Sequence, residues 1–291
     1  MDTDIVSLIL FGQVRVIIRG GGDLGSGVAY RLSKAGFPVL IAELAQPMLV
    51  RRGVSFGSAI IEDEIVMGSM RAVRVETIDA ALSVQADGDM PVIIDAEGAT
   101  FAEYTPSVLV DARLLKQPVE QPYDAILTIG LGPGFTAGTN CDAVIETNRG
   151  HNLGRVINSG TAEPNTGIPG QIAGKTGDRV LRAPADGVVR GLEPIGAQVK
   201  AGQPVAKVNG AQVVAPFDGV LRGLVHDGLT VWQGMKIGDV DARGKEENCF
   251  TISDKALAVG GGVVEAVLSS PAIRALIQHG PDDNSRSTEL P

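Results

Sequence analysis

The chain has 291 residues and a net charge of −9 at pH 7, with 34 acidic residues against 25 basic ones. This balance argues against a broad nucleic-acid or anionic-membrane surface, since either one needs clustered Lys and Arg side chains, so we expect a small molecule or a protein as partner. Two cysteines in a chain of this length give no disulfide framework and favour a reducing compartment, which predicts a cytoplasmic protein.

The first apolar run, Ile5 to Phe11, lacks a basic flank and is far shorter than the roughly 20 residues of a membrane helix. A predicted strand, Val14 to Ile18, then leads into a glycine-rich turn and a helix from about Leu24 to Ala35. Such a turn lets the backbone approach a phosphate at a helix N-terminus. The alternative is that these glycines only let the helix pack on the strand. The positions predicted to bind phosphate are Gly20, Gly22, Asp23, Leu24 and Gly25.

The second predicted strand, Pro38 to Ala42, places Glu43 about where an acid binds the ribose of a dinucleotide. One hypothesis is therefore an NAD(P)-dependent oxidoreductase, in which Glu43 binds the ribose, favouring NAD over NADP, and His151 donates a proton. No lysine–tyrosine or histidine–aspartate arrangement for hydride chemistry accompanies these two residues in the sequence.

Short apolar runs recur along the first half and predict a parallel sheet with helices on both faces, that is, a Rossmann-like, doubly wound α/β domain. Two of these runs end in acids, Asp95 and Asp111, at the strand ends where such sheets bind ligands. The strand at Ile126–Ile129 leads into a second glycine-rich loop, for which we weigh ligand binding against a tight strand exit. The predicted runs are Val73–Val75, Val92–Asp95, Val108–Asp111, Ile126–Ile129 and Arg155–Asn158, with a helix over Thr77–Gln85, and the loop glycines are Gly130, Gly132 and Gly134.

The densest polar cluster follows the apolar stretch Ala143–Ile145. Here Glu146 and Arg149 are candidate cofactor-binding residues, because a guanidinium binds phosphate or carboxylate with two donors. His151 is a candidate acid, base or ligand, and Cys141 a candidate thiol nucleophile if a cation lowers its pKa. The alternatives are a solvated loop with a local ion pair and a buried core cysteine. No Cys or His spacing indicates a metal site.

Residues Pro169–Thr176 resemble a phosphate loop but precede a predicted strand rather than a helix, so we interpret them as a linker. The next segment contains an internal repeat, since Ala183–Leu192 returns as Ala215–Leu224 at an offset of 32 residues. Each copy is too small to bury a core alone, which predicts that the two copies close on each other.

This repeat resembles the barrel-sandwich hybrid of biotinyl and lipoyl carrier domains. Those carriers present a lysine at the hairpin tip, whereas here Lys207 precedes an Asn209-Gly210 turn, so we expect no covalent biotin or lipoate. We interpret the module as a rigid scaffold or docking unit. Ser253 then predicts the cap of a helix from Lys255 to Leu268, in which Gly260–Gly262 suggests close packing against another element. The predicted division is 1–176 for ligand binding, 177–244 for the repeat module, 245–280 for a helical segment that packs back, and 281–291 for a frayed tail.

Residues 14–270 resemble the YqeB family of selenium-dependent molybdenum hydroxylase accessory proteins. The resemblance implies a role in maturing the molybdenum cofactor of hydroxylases, with the hydroxylase and other maturation proteins as partners and a molybdopterin-type anionic cofactor. The glycine turn is also similar to the Rossmann-like part of accessory proteins that deliver sulfurated molybdenum cofactor to xanthine dehydrogenase. A non-catalytic docking scaffold and a homo-oligomer are further hypotheses, and Arg113 of the family-like VDAR motif joins the candidate cofactor-binding residues. The matching segments are Arg19–Ala29, Arg51–Phe56, Val110–Arg113, Gly130–Gly138, Val144–Ile157 and Pro164–Gly170.

Overall fold

The computed structural model describes residues 9–117, 124–164 and 177–279. The predicted linker at Pro169–Thr176 and the predicted tail at 281–291 lie outside the described residues. The described chain is a mixed α/β protein with one large sheet and a separate segment of antiparallel sheets.

Short, buried aliphatic runs form the strands of the large sheet, and every run predicted as a strand in the first half overlaps one. The sequence analysis missed several short elements, namely the strands Glu64–Met67, Thr136–Ala137 and Gly160–Thr161, the helices Ala59–Glu62 and Phe101–Tyr104, and the helical turns Arg52–Val54 and Phe56–Ser58. The elements are, in chain order, β1 (Val16–Arg19), α1 (Asp23–Lys34), β2 (Val39–Glu43), α2 (Ala59–Glu62), β3 (Glu64–Met67), β4 (Met70–Val75), α3 (Ile78–Ala86), β5 (Met90–Ile94), α4 (Phe101–Tyr104), β6 (Val108–Asp111), β7 (Leu127–Leu131), β8 (Thr136–Ala137), β9 (Ala143–Ile145), β10 (Val156–Ile157) and β11 (Gly160–Thr161).

Nine of these strands form a single sheet in the order β10-β9-β7-β6-β1-β2-β5-β4-β3, while β8 and β11 pair separately. The seven strands from β9 to β4 pair in parallel, and β10 and β3 join the two edges antiparallel. The prediction of a largely parallel sheet is therefore confirmed. The antiparallel edges were not predicted.

Alternate residues of the central strands enter two different cores. Ile18 and Ile41 pack in the cluster that contains α1, whereas Ile17 and Leu40 pack in the cluster that contains α3 and α4. Because both faces of the sheet are covered by helices, its strands are apolar at consecutive positions rather than at every second one.

The second part of the fold consists of two four-stranded antiparallel sheets. Their orders are β12-β19-β17-β14 and β16-β15-β13-β18, so each sheet contains strands from both repeat copies. The strands are β12 (Val180–Arg182), β13 (Gly187–Gly191), β14 (Gln198–Val199), β15 (Pro204–Val208), β16 (Ala211–Val214), β17 (Gly219–Leu224), β18 (Thr230–Val231) and β19 (Lys236–Asp241).

The 32-residue offset is visible in the hydrogen bonds between the two copies. The Asp186 carboxylate accepts from the backbone N–H of Gln233, and at the equivalent position Asp218 accepts from Ala201. The Asp-Gly turn of each copy therefore holds a turn of the other. This reciprocity confirms that the copies close on each other.

The chain then returns to the first part through α5 (Asp254–Ser269) and α6 (Pro271–His279). The Ser253 hydroxyl accepts from the Ala256 N–H, as predicted for a cap, and α5 continues through its three glycines. Residues of α5 share the core that contains β1 and α1, so the repeat module is inserted between two pieces of one hydrophobic unit. No single helix of the described ranges is long and apolar enough to span a membrane, although α5 and α6 together, bent by 69°, meet the length and composition criteria.

Candidate functional site

The sheet reverses its strand order at β1, which lies between β2 and β6. From β1 the chain first builds the side containing β2 to β5 and then crosses to β6 on the other side. In parallel sheets, ligands bind beside the carboxyl ends of the strands at such a reversal. The glycine turn after β1 and the segment after β6 lie at this point, since the Gly20 Cα faces the backbone of Ala112 and Arg113.

Three glycines of the turn have a steric or conformational reason to be glycine. A Cβ at Gly25 would lie 2.0 Å from the Gly20 carbonyl oxygen, and one at Gly21 would lie 2.7 Å from the Gly57 nitrogen. Gly20 has φ +99°, which favours glycine. Close approach of neighbouring backbone therefore explains Gly21 and Gly25, and backbone conformation explains Gly20.

Gly22 is different from its neighbours. It has φ −71° and ψ −175°, which any residue adopts, and a Cβ there would meet only the Leu49 side chain, at 3.6 Å. Gly22 is also the N-cap of α1, and no side chain caps the helix. Ser, Thr, Asp and Asn stabilise a helix at this position by about 1 kcal/mol. Packing does not explain the glycine, and the first turn of α1 has no side-chain cap.

Glu43 lies beside the turn but faces the protein itself. Its carboxylate accepts from the Gly21 N–H at 2.7 Å and from the Leu44 N–H at 2.7 Å. Burial raises its pKa, and these two hydrogen bonds oppose that shift. Because each carboxylate oxygen already binds a backbone donor, this geometry favours a role in holding the glycine turn over one in binding ribose.

The segment Arg51–Ser58 covers one side of the turn. Gly57 donates to the Gly21 carbonyl at 2.9 Å, and Ser26 of α1 accepts from the Phe56 N–H at 2.8 Å. Arg51 forms an ion pair with Asp23 at 2.9 Å and donates to the Asn248 carbonyl at 2.8 Å. Asp23, predicted to bind a ligand, is thus engaged by Arg51.

The two acids predicted at strand ends lie at the expected edge, with local partners. Asp95 accepts from the N–H groups of Gly98 and Ala99, and from the Thr100 N–H and hydroxyl. Burial opposes ionisation of Asp95, but the hydrogen bonds, that from the Thr100 hydroxyl foremost, lower its pKa. Asp111 is fully buried and pairs with Arg113 through two guanidinium nitrogens. These contacts support the loops that follow β5 and β6.

The second glycine loop is also explained by packing. A Cβ at Gly130 would lie 2.1 Å from the Phe135 ring, and one at Gly134 would lie 2.4 Å from the Leu115 carbonyl oxygen. Gly132 has φ +83° and would bring a Cβ within 2.8 Å of the Thr147 hydroxyl. The loop lies at the carboxyl end of β7, but its glycines do not indicate a ligand.

The polar segment after β9 meets the start of α5. Arg149 forms a two-donor ion pair with Asp254, with both distances 2.8 Å, and this pair lowers the pKa of Asp254. Glu146 is buried and accepts from the Asn148 and Glu163 N–H groups. We call Glu146, Arg149, Asp254 and Lys255 the edge cluster.

Lys255 is the cation of the edge cluster without an ion pair to the described residues. It is half-buried, and burial followed by repulsion from Arg149 lowers its pKa, while Asp23 and Glu146 act in the opposite direction. Asp23 binds Arg51 through Oδ2, Asp254 binds Arg149, and Glu146 accepts from two backbone N–H groups. The Lys255 ammonium is therefore the available cation close to the start of α1.

The two residues predicted for catalysis lie in different surroundings. Cys141 is buried in a small cluster with Phe135 and Val144, and burial raises its pKa to about 11. A thiol with this pKa is protonated at neutral pH, which disfavours a nucleophile. His151 lies exposed in the loop after Arg149.

Sequence reasoning missed Lys255, Asp254 and Arg51 as neighbours of the glycine turn. The signal for Lys255 and Asp254 was the Ser253 cap, which places both at the N-terminus of α5. What the sequence did not show is that α5 packs beside α1, through Gly27 and Gly260. Among the described residues, no group of three or more His, Cys, Asp or Glu side chains is arranged to hold a metal ion.

The chain matches the uncharacterized protein YqeB of Escherichia coli (strain K12) at 45% identity over 258 residues. The match supports a relationship to the YqeB family. It covers 88% of this chain and 48% of YqeB, so the chain spans about half the length of that curated relative. No family model matches the chain. Among solved structures, an aspartoacylase family protein from Mesorhizobium loti is similar, with 9% identity, 79% of this chain and 84% of that chain covered, and a TM-score of 0.25.

Proposed function

We propose that the chain binds an anionic, phosphate-bearing cofactor at the start of α1 and acts as an accessory protein in the maturation of selenium-dependent molybdenum hydroxylases. The observation that carries the binding is Gly22. Of the glycines Gly20, Gly21, Gly22 and Gly25, it alone has no steric or conformational requirement for glycine, and it stands where a capping side chain would otherwise stabilise the helix. An external anion would accept from the same N–H groups.

Lys255 supports an anionic ligand at this place. Lys255 lies where α5 packs on α1, since a Cβ at Gly27 would lie 2.5 Å from the Ala256 carbonyl oxygen, and its ammonium forms no ion pair with the described residues. A half-buried cation beside a helix N-terminus attracts negative charge, since both the N–H groups and the ammonium are positive there. Arg149 forms an exposed ion pair with Asp254, and such pairs contribute little to stability. Arg149 can therefore leave Asp254 and bind a ligand phosphate at a small cost in free energy.

The maturation role is drawn from the motifs that resemble the YqeB family and from the 45% identity to YqeB. A molybdopterin-type cofactor carries a phosphate and fits the residues described above. When bound, the cofactor supplies the molybdenum chemistry of the target hydroxylase. In this proposal Gly22 and Lys255 bind and orient its phosphate.

We also infer the finer fold assignments. The strand reversal at β1 and the helices on both faces support a Rossmann-like first unit. The two interlocked antiparallel sheets and the 32-residue offset support a barrel-sandwich hybrid over residues 177–244.

The NAD(P) alternative is less well supported. Its ribose contact depends on Glu43, whose carboxylate is buried and bound by Gly21 and Leu44. Both carboxylate oxygens already accept a backbone N–H and Glu43 is buried, so a ribose hydroxyl would have to reach a remaining lone pair on a buried acid.

The test is mass spectrometry of small molecules released from protein purified from a host that makes molybdenum cofactor. Gly22→Asp places a carboxylate at the phosphate position and also caps α1, so the variant should stay folded yet lose the cofactor. Gly22→Asn is the matched control, with the same size and capping ability but no charge, and should retain more cofactor than Gly22→Asp. Lys255→Ala should reduce retention. Wild-type protein that carries no cofactor, or a Gly22→Asp variant that retains the cofactor fully, would contradict the proposed site.

We further propose that the repeat module contacts the target hydroxylase. Trp232, the single tryptophan of the chain, is 62% exposed, and its repeat counterpart is Lys200. Large exposed aromatic side chains are typical of protein interfaces. Trp232→Ser should weaken hydroxylase binding in a pull-down assay, whereas Lys200→Ser should not. Equal binding by both variants would contradict this docking role.

A further inference from the structure

A buried arginine at the junction of the two parts of the fold lacks hydrogen bonds. The Arg222 side chain on β17 is 8% exposed, and it makes no hydrogen bond to any residue in the described ranges. Its contacts with carboxylates are 3.7 Å to Asp241 and 4.0 Å to Asp239, both too long for hydrogen bonds. Its Nε is fully buried without a partner, and leaving a buried charged donor unsatisfied is costly.

The nearby acids cannot satisfy Arg222, because other arginines bind them. Asp241 accepts from the Arg243 backbone N–H and guanidinium, and Asp239 accepts from Arg179. Both pairs have much closer contacts than Arg222 makes. The donors of Arg222 are therefore not served by the carboxylates beside it.

A second buried arginine and an acid adjoin Arg222. Arg51 is 10% exposed, and its Nε has no hydrogen-bond partner. Its segment packs on β17, because a Cβ at Gly223 would lie 2.6 Å from the Val50 carbonyl oxygen, and Arg51 lowers the pKa of Arg222, an effect second to that of burial. Asp23 contributes to the same field, and its Oδ1 is buried without a donor. The junction cluster, which we define as Asp23, Arg51, Arg179, Arg222, Asp239, Asp241 and Arg243, has four arginines and three aspartates, an excess of one positive charge.

The repeat shows that this arrangement is specific to the second copy. The counterpart of Arg222 is Arg190, which is exposed on β13 opposite Lys207. Asp239 corresponds to Lys207, and Asp241 to Asn209. Only the second copy combines the arginine with buried acids and lies against the Arg51 segment, where Arg52 donates to the Leu224 carbonyl.

We propose that the junction cluster binds a small protonated oxyanion of the hydrogen phosphate type between Arg51 and Arg222. Its oxygens accept from the two guanidinium groups, and its hydroxyl donates to Asp23 Oδ1, so the single ion serves Arg51 Nε, Arg222 Nε and Asp23 Oδ1, three of the four buried atoms without a partner in the described residues. Because both arginine side chains are buried, the site admits a small free ion and excludes the phosphate of a larger molecule. This site adjoins the proposed cofactor site at Asp23, the first residue of α1, but it depends on Arg222 of the repeat module and does not use Gly22 or Lys255.

The test uses inorganic phosphate as the probe and equilibrium dialysis of the full chain as the assay. We expect wild type to bind one phosphate per chain that depends on Arg222, Arg222→Met to bind this phosphate at least tenfold more weakly, and Arg190→Met to match wild type. Arg190 is the matched control because it is the same residue at the equivalent repeat position. Sulfate, which has no proton to donate to Asp23 near neutral pH, should bind more weakly than phosphate, and glycerol phosphate should not compete.

If Arg222→Met folds poorly, thermal unfolding of a second variant, Arg222→Lys, tests the site instead. Arg222→Lys retains the charge with fewer donors, so it should fold and show a smaller rise of Tm with phosphate concentration than wild type. Wild-type protein that binds no phosphate, or phosphate binding unaffected by Arg222→Lys, would overturn the site. Equal binding of sulfate would overturn the assignment of a protonated ion. Loss of the cofactor in Gly22→Asp, or its absence from wild type, bears only on the cofactor site.

Discussion

Two adjacent glycines of α5 should respond in opposite ways to the same substitution. A Cβ at Gly260 would lie 2.5 Å from the Gly27 carbonyl oxygen of α1 and 2.9 Å from the Arg31 Cγ, whereas a Cβ at Gly261 meets nothing within 4 Å. Alanine in a helix gains about 1 kcal/mol over glycine at either position. The contact at Gly260 must open by nearly an ångström, and overpacking of this kind costs about 1–3 kcal/mol.

Since the gain in helix propensity is common to both variants, their difference in unfolding free energy isolates the α1–α5 contact. Urea denaturation should place Gly261→Ala above wild type and Gly260→Ala about 1–3 kcal/mol below Gly261→Ala. Because α5 carries Lys255 and Asp254, Gly260→Ala should also weaken cofactor retention. If the two variants are equally stable, the helices do not approach each other as closely as described, and the placement of Lys255 near α1 loses its support.

The remaining predictions concern two buried titratable groups. Burial, followed by repulsion from Arg52, lowers the pKa of His226 to about 4, below its ordinary value of 6.5. The unfolded chain therefore takes up the proton first, so stability should fall as pH drops from about 6.5 towards 4, by at most about 1.4 kcal/mol per pH unit. Urea titrations at several pH values should show a shallower loss in His226→Gln; an identical loss would mean that His226 is not the group responsible. For Cys141, whose pKa burial raises to about 11, iodoacetamide at pH 8 should modify native Cys249→Ala protein on the order of a hundredfold more slowly than a free thiol. Rapid modification would restore Cys141 as a candidate nucleophile.

Local patterns predicted most of the secondary structure because the physical causes are local. The aliphatic runs that form β1, β2, β5, β6 and β7 are buried on both sheet faces, so they are recognisable without knowledge of their neighbours. The missed elements α4 and β3 are four residues each, and β3 carries exposed positions that weaken its apolar pattern.

For the candidate site, chain order predicted which strand ends carry polar residues but not what those residues bind. Glu43, Asp95 and Glu146 all lie near the expected edge, yet each accepts hydrogen bonds from backbone N–H groups of its own surroundings. A carboxylate that caps a loop and one that binds a ligand have the same sequence signature, because both follow a buried strand. The distinction depends on which donors the folded chain brings within about 3 Å.

The sequence by itself determined the glycine turn, the parallel core strands, the cap of α5 and the 32-residue repeat, since each depends on residues close together in the chain or on a regular offset. Tertiary structure alone decided that α5 returns to pack on α1, that Lys255 reaches the start of α1, and that Arg222 is buried while its repeat counterpart Arg190 is exposed. The contacts of α5 and Lys255 with α1 join residues more than 200 positions apart. They and the burial of Arg222 follow from how apolar surfaces cover one another, which no local sequence pattern shows.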